Sequence, residues 1–149
     1  MAQTTNGFSF TDCKVEYSTN GSDYTDLSGT ASVVEGGDQP RISGEGYTFD
    51  GDTALVTYGK REPMELTFGY VHTEGTAEAW ELLRPLFEGG STCYFRWSPK
   101  GGNTDDFQYT TDAGQIIRFP YPVGDASSGD PVMGNVVFKT PKVTKSAVA

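Results

Sequence analysis

The sequence predicts a mainly β chain: an antiparallel β-sandwich or barrel of about eight strands with one packed α-helix. Three observations predict it. Aromatic residues make up 13% of 149 residues, among 19 Gly and 8 Pro; rings fit a pleated surface, and Gly and Pro make turns. The run Met64 to Thr73 alternates in polarity with a period of two. Only residues 76–88 repeat apolar side chains at helical spacing.

The elements follow in order. Residues 1–12 are polar and read as a flexible N-terminal arm. Cys13 to Tyr17 alternate as a short strand, and Asn20-Gly21 suits the positive φ of a type I′ hairpin turn. Arg41 to Phe49 and Thr53 to Tyr58 read as two strands around Asp50-Gly51-Asp52. In the long strand 64–73, Met64, Leu66, Phe68, Tyr70 and His72 share one face, and Glu65, Thr67, Gly69, Val71 and Thr73 the other. In the helix, Trp80, Leu83 and Phe87 with Ala79, Leu82 and Leu86 make an apolar stripe. Gly89-Gly90 stops it, and Pro85 is expected to kink or divide it. Strands resume over 92–98, with Cys93, Phe95 and Trp97 on one face, then over 107–111, 115–121 and 132–140. Residues 124–131, GDASSGDP, form a polar loop. Pro141 cannot donate to a continuing ladder, so 141–149 is expected to leave the sandwich domain 13–140 as a basic C-terminal arm.

The charge sum narrows the function classes. Asp plus Glu number 20 against 11 Lys plus Arg, a net charge of −9. Gripping nucleic acid needs a basic stripe, so that class is disfavoured. The imbalance is uneven: residues 139–149 hold three Lys and no acid, and the other 138 residues sum to −12. One His and two Cys leave a metal centre built from those residues nearly excluded. Cys13 and Cys93 lie far apart outside any C-x-x-C pattern and read as reduced thiols. MAQTTNGFSF has no basic n-region or apolar run, so no secretory signal is expected. No apolar run is long enough to span a membrane.

Catalytic motifs are missing. His72, the only imidazole, shares a strand face with Phe68 and Tyr70 and reads as a packed residue. There is no G-x-S-x-G elbow and no phosphate-binding glycine loop. Asp50 and Asp52 read as turn formers, not calcium ligands. Trp80 and Trp97 read as core. The chain is therefore expected to be no enzyme and to carry no cofactor or metal.

Several segments together resemble the major tail tube protein of long, non-contractile-tailed (siphovirus-type) bacteriophages. They are CKVEYSTNGSDYTDLSG at 13–29, EGYTFDGDTALVTYGKREPMELTF at 45–68, YFRWSPKGG at 94–102, DASSGDPV at 125–132 and KTPKVTKS at 139–146. The resemblance implies a β-sandwich with one helix whose strands join a multi-subunit inner barrel. It implies hexameric rings stacked into a tube by loops and terminal arms, built around a tape measure protein on a tail tip complex. DNA passes through without specific binding. The expected location is the virion tail, with assembly in the host cytoplasm and no membrane insertion. On that basis Glu45, Glu65 and Thr67, on polar strand faces, are expected to face the lumen. Lys142, Val143 and Lys145 are expected to contact the next ring. The alternative is a monomeric β-sandwich module that binds a carbohydrate or a receptor.

Overall fold

The computed structural model describes residues 1–149. Its elements in chain order are β1 (Lys14–Ser18), β2 (Thr25–Asp26), β3 (Ala31–Glu35), β4 (Arg41–Gly46), β5 (Leu55–Arg61), β6 (Met64–Val71), α1 (Ala79–Glu88), β7 (Tyr94–Ser98), β8 (Phe107–Thr111), β9 (Gln115–Arg118), β10 (Met133–Thr140) and β11 (Val143–Ala147). Two antiparallel sheets enclose the core. One has the order β11-β8-β7-β1-β2 and the other β3-β6-β10-β9. Strands β4 and β5 pair only with each other, as a separate hairpin.

The alternation on β6 sets the inner face. Met64, Leu66, Phe68 and Tyr70 are buried, and Glu65 is exposed. The facing sheet contributes Val15, Tyr17 and Phe95. Phe68 stacks on Phe95 with centroids 4.3 Å apart, and Phe138 of β10 meets Phe95 edge-on at 4.9 Å. Aromatic pairs at these separations add specificity to the burial that drives collapse. On the outer face, Glu16 of β1 pairs with Arg96 of β7, whose guanidinium lies 3.9 Å from the Tyr24 centroid.

Helix α1 covers the β9 side of the sandwich. Ala79 and Leu83 are buried, and Phe87 stacks on Phe119 at 5.7 Å. It starts at Ala79, later than expected, because Glu78 is extended; the Glu78 carboxylate instead accepts a hydrogen bond from the Thr73 hydroxyl. It runs through Pro85 to Glu88 undivided, with Pro85 on its exposed side. Gly90, at φ 63°, provides the left-handed turn that ends it.

Eleven strands stand where about eight were expected. The additions are β2, only two residues long, β3, and β11. The Asn20-Gly21 turn is not a two-residue hairpin: six residues, 19–24, separate β1 from β2. Asn20 Oδ1 organises that loop by accepting the amides of Ser22 and Asp23. The expectation of a free C-terminal arm is corrected. The chain does leave β10 at Pro141, but β11 then joins the other sheet against β8, from Val143 opposite Thr111 to Ala147 opposite Phe107. The amide of Asp112 donates to the Lys142 carbonyl and that of Val148 to the Asp106 carbonyl, clamping both ends. A free ladder edge on β8 and an apolar groove beneath Val143 outweigh the basic, polar character of the segment.

Candidate assembly surfaces

His72 stands edge-on to Trp80 at 5.1 Å, its amide donating to the Val132 carbonyl. Burial pushes the Cys93 thiol up to about 12 and that of Cys13 to about 11, so both resist forming the thiolate a nucleophile needs. No group of three or more His, Cys, Asp or Glu side chains converges as a metal site. No helix is long and apolar enough to cross a membrane. What the fold does present is three exposed surfaces with distinct chemistry.

The first surface is the outer face of the β3-β6-β10-β9 sheet. Glu65 stands opposite Lys139, and Thr67 lies between Glu35 and Val137. Gln115 and Arg118 extend the same rows onto β9. Glu65 and Thr67 therefore share one polar face. The edges of this sheet, β3 and β9, each have one ladder side unpaired within the chain. Glu45 is not part of that face. It lies on β4 opposite Val56, where its carboxylate accepts the Tyr47 hydroxyl at 3.3 Å. It stands in the separate β4–β5 hairpin, flanked by Pro40 and Pro63, and not in the sheet that carries Glu65 and Thr67.

The second surface is the hairpin itself. Every residue of β5 is exposed, and no residue of β4 is buried. Ile42, Tyr47, Phe49, Leu55, Val56 and Tyr58 are all exposed, Phe49 completely. Register places Tyr58 and Val56 on one face with Ser43 and Glu45, and Leu55 on the other with Gly44 and Gly46. Each face of the hairpin thus carries exposed apolar side chains beside polar ones, surface that gains from being covered. Its root is fixed: Gln39 Nε2 donates to the Glu62 carbonyl at 3.1 Å and to the Pro141 carbonyl at 2.7 Å. The signal was present in the sequence, since Leu55-Val56 breaks the apolar/polar alternation expected of a strand with one wet face.

The third surface is β11. Val143 packs against the core and, with Met64, Trp97 and Tyr109, lines a groove of about 300 Å³. Its side chain is half-buried, touching its own core on one side and lining the open groove on the other. Lys145 lies over Phe107 with its ammonium 3.9 Å from the ring centroid. Lys142 is exposed and extends from the turn between β10 and β11.

Comparison places this fold among solved tubes. No sequence family and no curated protein matches the chain. A chain of the PVC sheath–tube complex, an extracellular contractile injection system in its extended state, superposes with a TM-score of 0.73 at 14% identity, over 97% of this chain and 94% of that one. A chain from the tail of an empty GTA particle, refined with C6 helical symmetry, gives 0.64 at 11% identity, over 99% and 100%. The SPP1 tail tube gives 0.62 at 16% identity, over 91% and 77%. At such identities the likeness is one of fold: a mainly β chain with a single helix, built like components of tails and injection tubes. One of the three systems is contractile, so the fold alone does not select a non-contractile tail.

Proposed function

We propose that this chain is the repeating subunit of a phage tail tube, in which copies close into hexameric rings and rings stack into a conduit for DNA. The observation that carries the reading is an unpartnered hairpin with exposed apolar side chains on both faces, on a fold shared with chains of tail and injection tubes. An isolated two-stranded hairpin is marginal in water. Contact with another copy supplies the third layer that buries it.

Ring closure draws on the unpaired edges β3 and β9. Pairing them between neighbours extends the sheet around a barrel and removes the aggregation hazard of an open edge. That arrangement turns the polar face with Glu65 and Thr67 toward the lumen. Glu35 and Glu65 alternate there with Lys139 and Arg118. Opposite charges in register leave little net field to hold a passing polyanion. Lys142 and Lys145 are available for contact between rings. The tape measure protein fills the tube during assembly on the tail tip complex, and the non-contractile tail is the sheathless version of this architecture. The sequence segments at 13–29 and 45–68 support that choice. A monomeric glycan-binding module would present an aromatic platform; Trp80 and Trp97 are engaged instead with Phe119 and Tyr109, and the exposed rings of Tyr47, Phe49 and Tyr58 are the ones that contact with another copy covers in this reading.

Electron microscopy of the purified chain, concentrated or supplied with a cognate tail tip complex, tests the reading. Hollow tubes with six-fold rings are expected. A chain that stays monomeric under both conditions and binds a glycan would replace this reading with the module.

A further inference from the structure

Tyr109, which lines the groove at Val143, also lines a second cavity of about 280 Å³ together with Phe8, Pro99, Lys100, Phe107 and Lys145. Both lysines lie over rings: Lys145 Nζ is 3.9 Å from the Phe107 centroid and Lys100 Nζ 5.2 Å from that of Phe8. Neither forms a salt bridge within the subunit. The carboxylate of nearby Asp106 is turned onto the Asn103 amide at 3.0 Å. The cleft thus offers two uncompensated cations on aromatic walls, on a chain whose net charge is −9.

The tip of the β4–β5 hairpin has the complementary chemistry. Glu45, Asp50 and Asp52 are its charges, and no Lys or Arg occurs between Arg41 and Lys60. Phe49 projects from it, fully exposed. We propose that the hairpin tip of one copy seats in the lysine-framed cleft of another, with the Phe49 ring among Phe8, Phe107 and Tyr109 and the Asp50 and Asp52 carboxylates facing Lys100 and Lys145. This rests on the tube reading and names the pair of surfaces that would join its rings. Ring partners stabilise a buried Phe. Carboxylates closing on ammonium groups already held over rings complete a sandwich of opposite charges. Donor and acceptor are different surfaces, so the contact is head-to-tail and repeats from copy to copy.

The test uses full-length chains. K100E/K145E and D50K/D52K are each expected to raise the concentration needed for assembly by on the order of tenfold or more. Mixed in equal amounts, the two variants are expected to co-assemble, because acidic tips meet basic clefts and basic tips meet acidic ones. A folding defect would not be rescued by mixing. Oxidation of a mixture of F49C and F107C chains should trap a covalent dimer that neither variant forms alone. Wild-type tubes together with unimpaired K100E/K145E tubes would overturn this docking and leave the tube reading intact. A trapped dimer without tubes would support the docking and remove the tube. Absence of the trapped dimer overturns the docking in either case.

Discussion

The sandwich and the β4–β5 hairpin have the same secondary structure and opposite economies of burial. In the sandwich each strand has a facing sheet, and Leu66, Phe95, Val136 and Phe138 are wholly removed from water. In the hairpin, comparable side chains have nothing above them. The difference teaches what holds each region. The body is held by its own core. The hairpin is held at its root by Gln39 and across its ladder by Arg41, whose guanidinium donates to the Gly59 carbonyl at 3.0 Å. Its apolar surface is stabilising only when another molecule covers it.

The largest break in that contrast comes from the core. Phe95→Ala removes the ring that touches both Phe68 and Phe138. It should cost about 3–5 kcal/mol, read as the shift in a urea unfolding midpoint.

Alkaline pH comes next, because it acts through two buried groups of the body. Burial pushes the Cys93 thiol from 9.0 to about 12 and the Tyr70 hydroxyl from 10.0 to about 12. Above about pH 9 the unfolded chain releases protons that the folded chain keeps, so stability falls with rising pH until the folded values are reached. Each unit of that window removes about 1.4 kcal/mol for a fully buried group. Cys93→Ala should flatten the slope while lowering stability at neutral pH, and thermal melts from about pH 8 to 11 would reveal both.

The β11 strand sharpens the comparison, since it lies between the two regimes. Its five residues pair with β8, but only Val143 reaches the core. Deleting residues 142–149 should destabilise the subunit by about 1–2 kcal/mol and open the β8 edge to aggregation, visible by light scattering. A truncated chain as stable as the full one would return the segment to a free arm.

The smallest expected effect is in the hairpin. Tyr58→Ser or Val56→Ser should change subunit stability by no more than about 0.5 kcal/mol in urea unfolding. A large loss would mean that the hairpin rests on its own body.

The long alternation from Met64 and the apolar stripe of α1 were legible in the sequence, because one buried face imposes a period. Of the candidate residues, Glu65 and Thr67 emerged together for that reason: their strand has one apolar row, and they lie on the other. The hairpin strands were legible too, but not their isolation. Glu45 reads the same whether its strand joins the sheet of Glu65 or stands apart, because local pattern specifies a face and not the sheet it belongs to.

The residues alone determined the mainly β class, the single helix, the apolar row of β6 and the absence of a catalytic motif, since each depends on neighbours in the chain. Only the tertiary structure decided where 143–147 would go. The sequence VTKSA has one apolar contact to offer and a polar surface. What captured it was the unpaired edge of β8 beside a groove between Met64, Trp97 and Tyr109, residues brought together from far along the chain. Backbone groups at a free edge must find partners, and that requirement belongs to the assembled sheet, not to the segment that answers it.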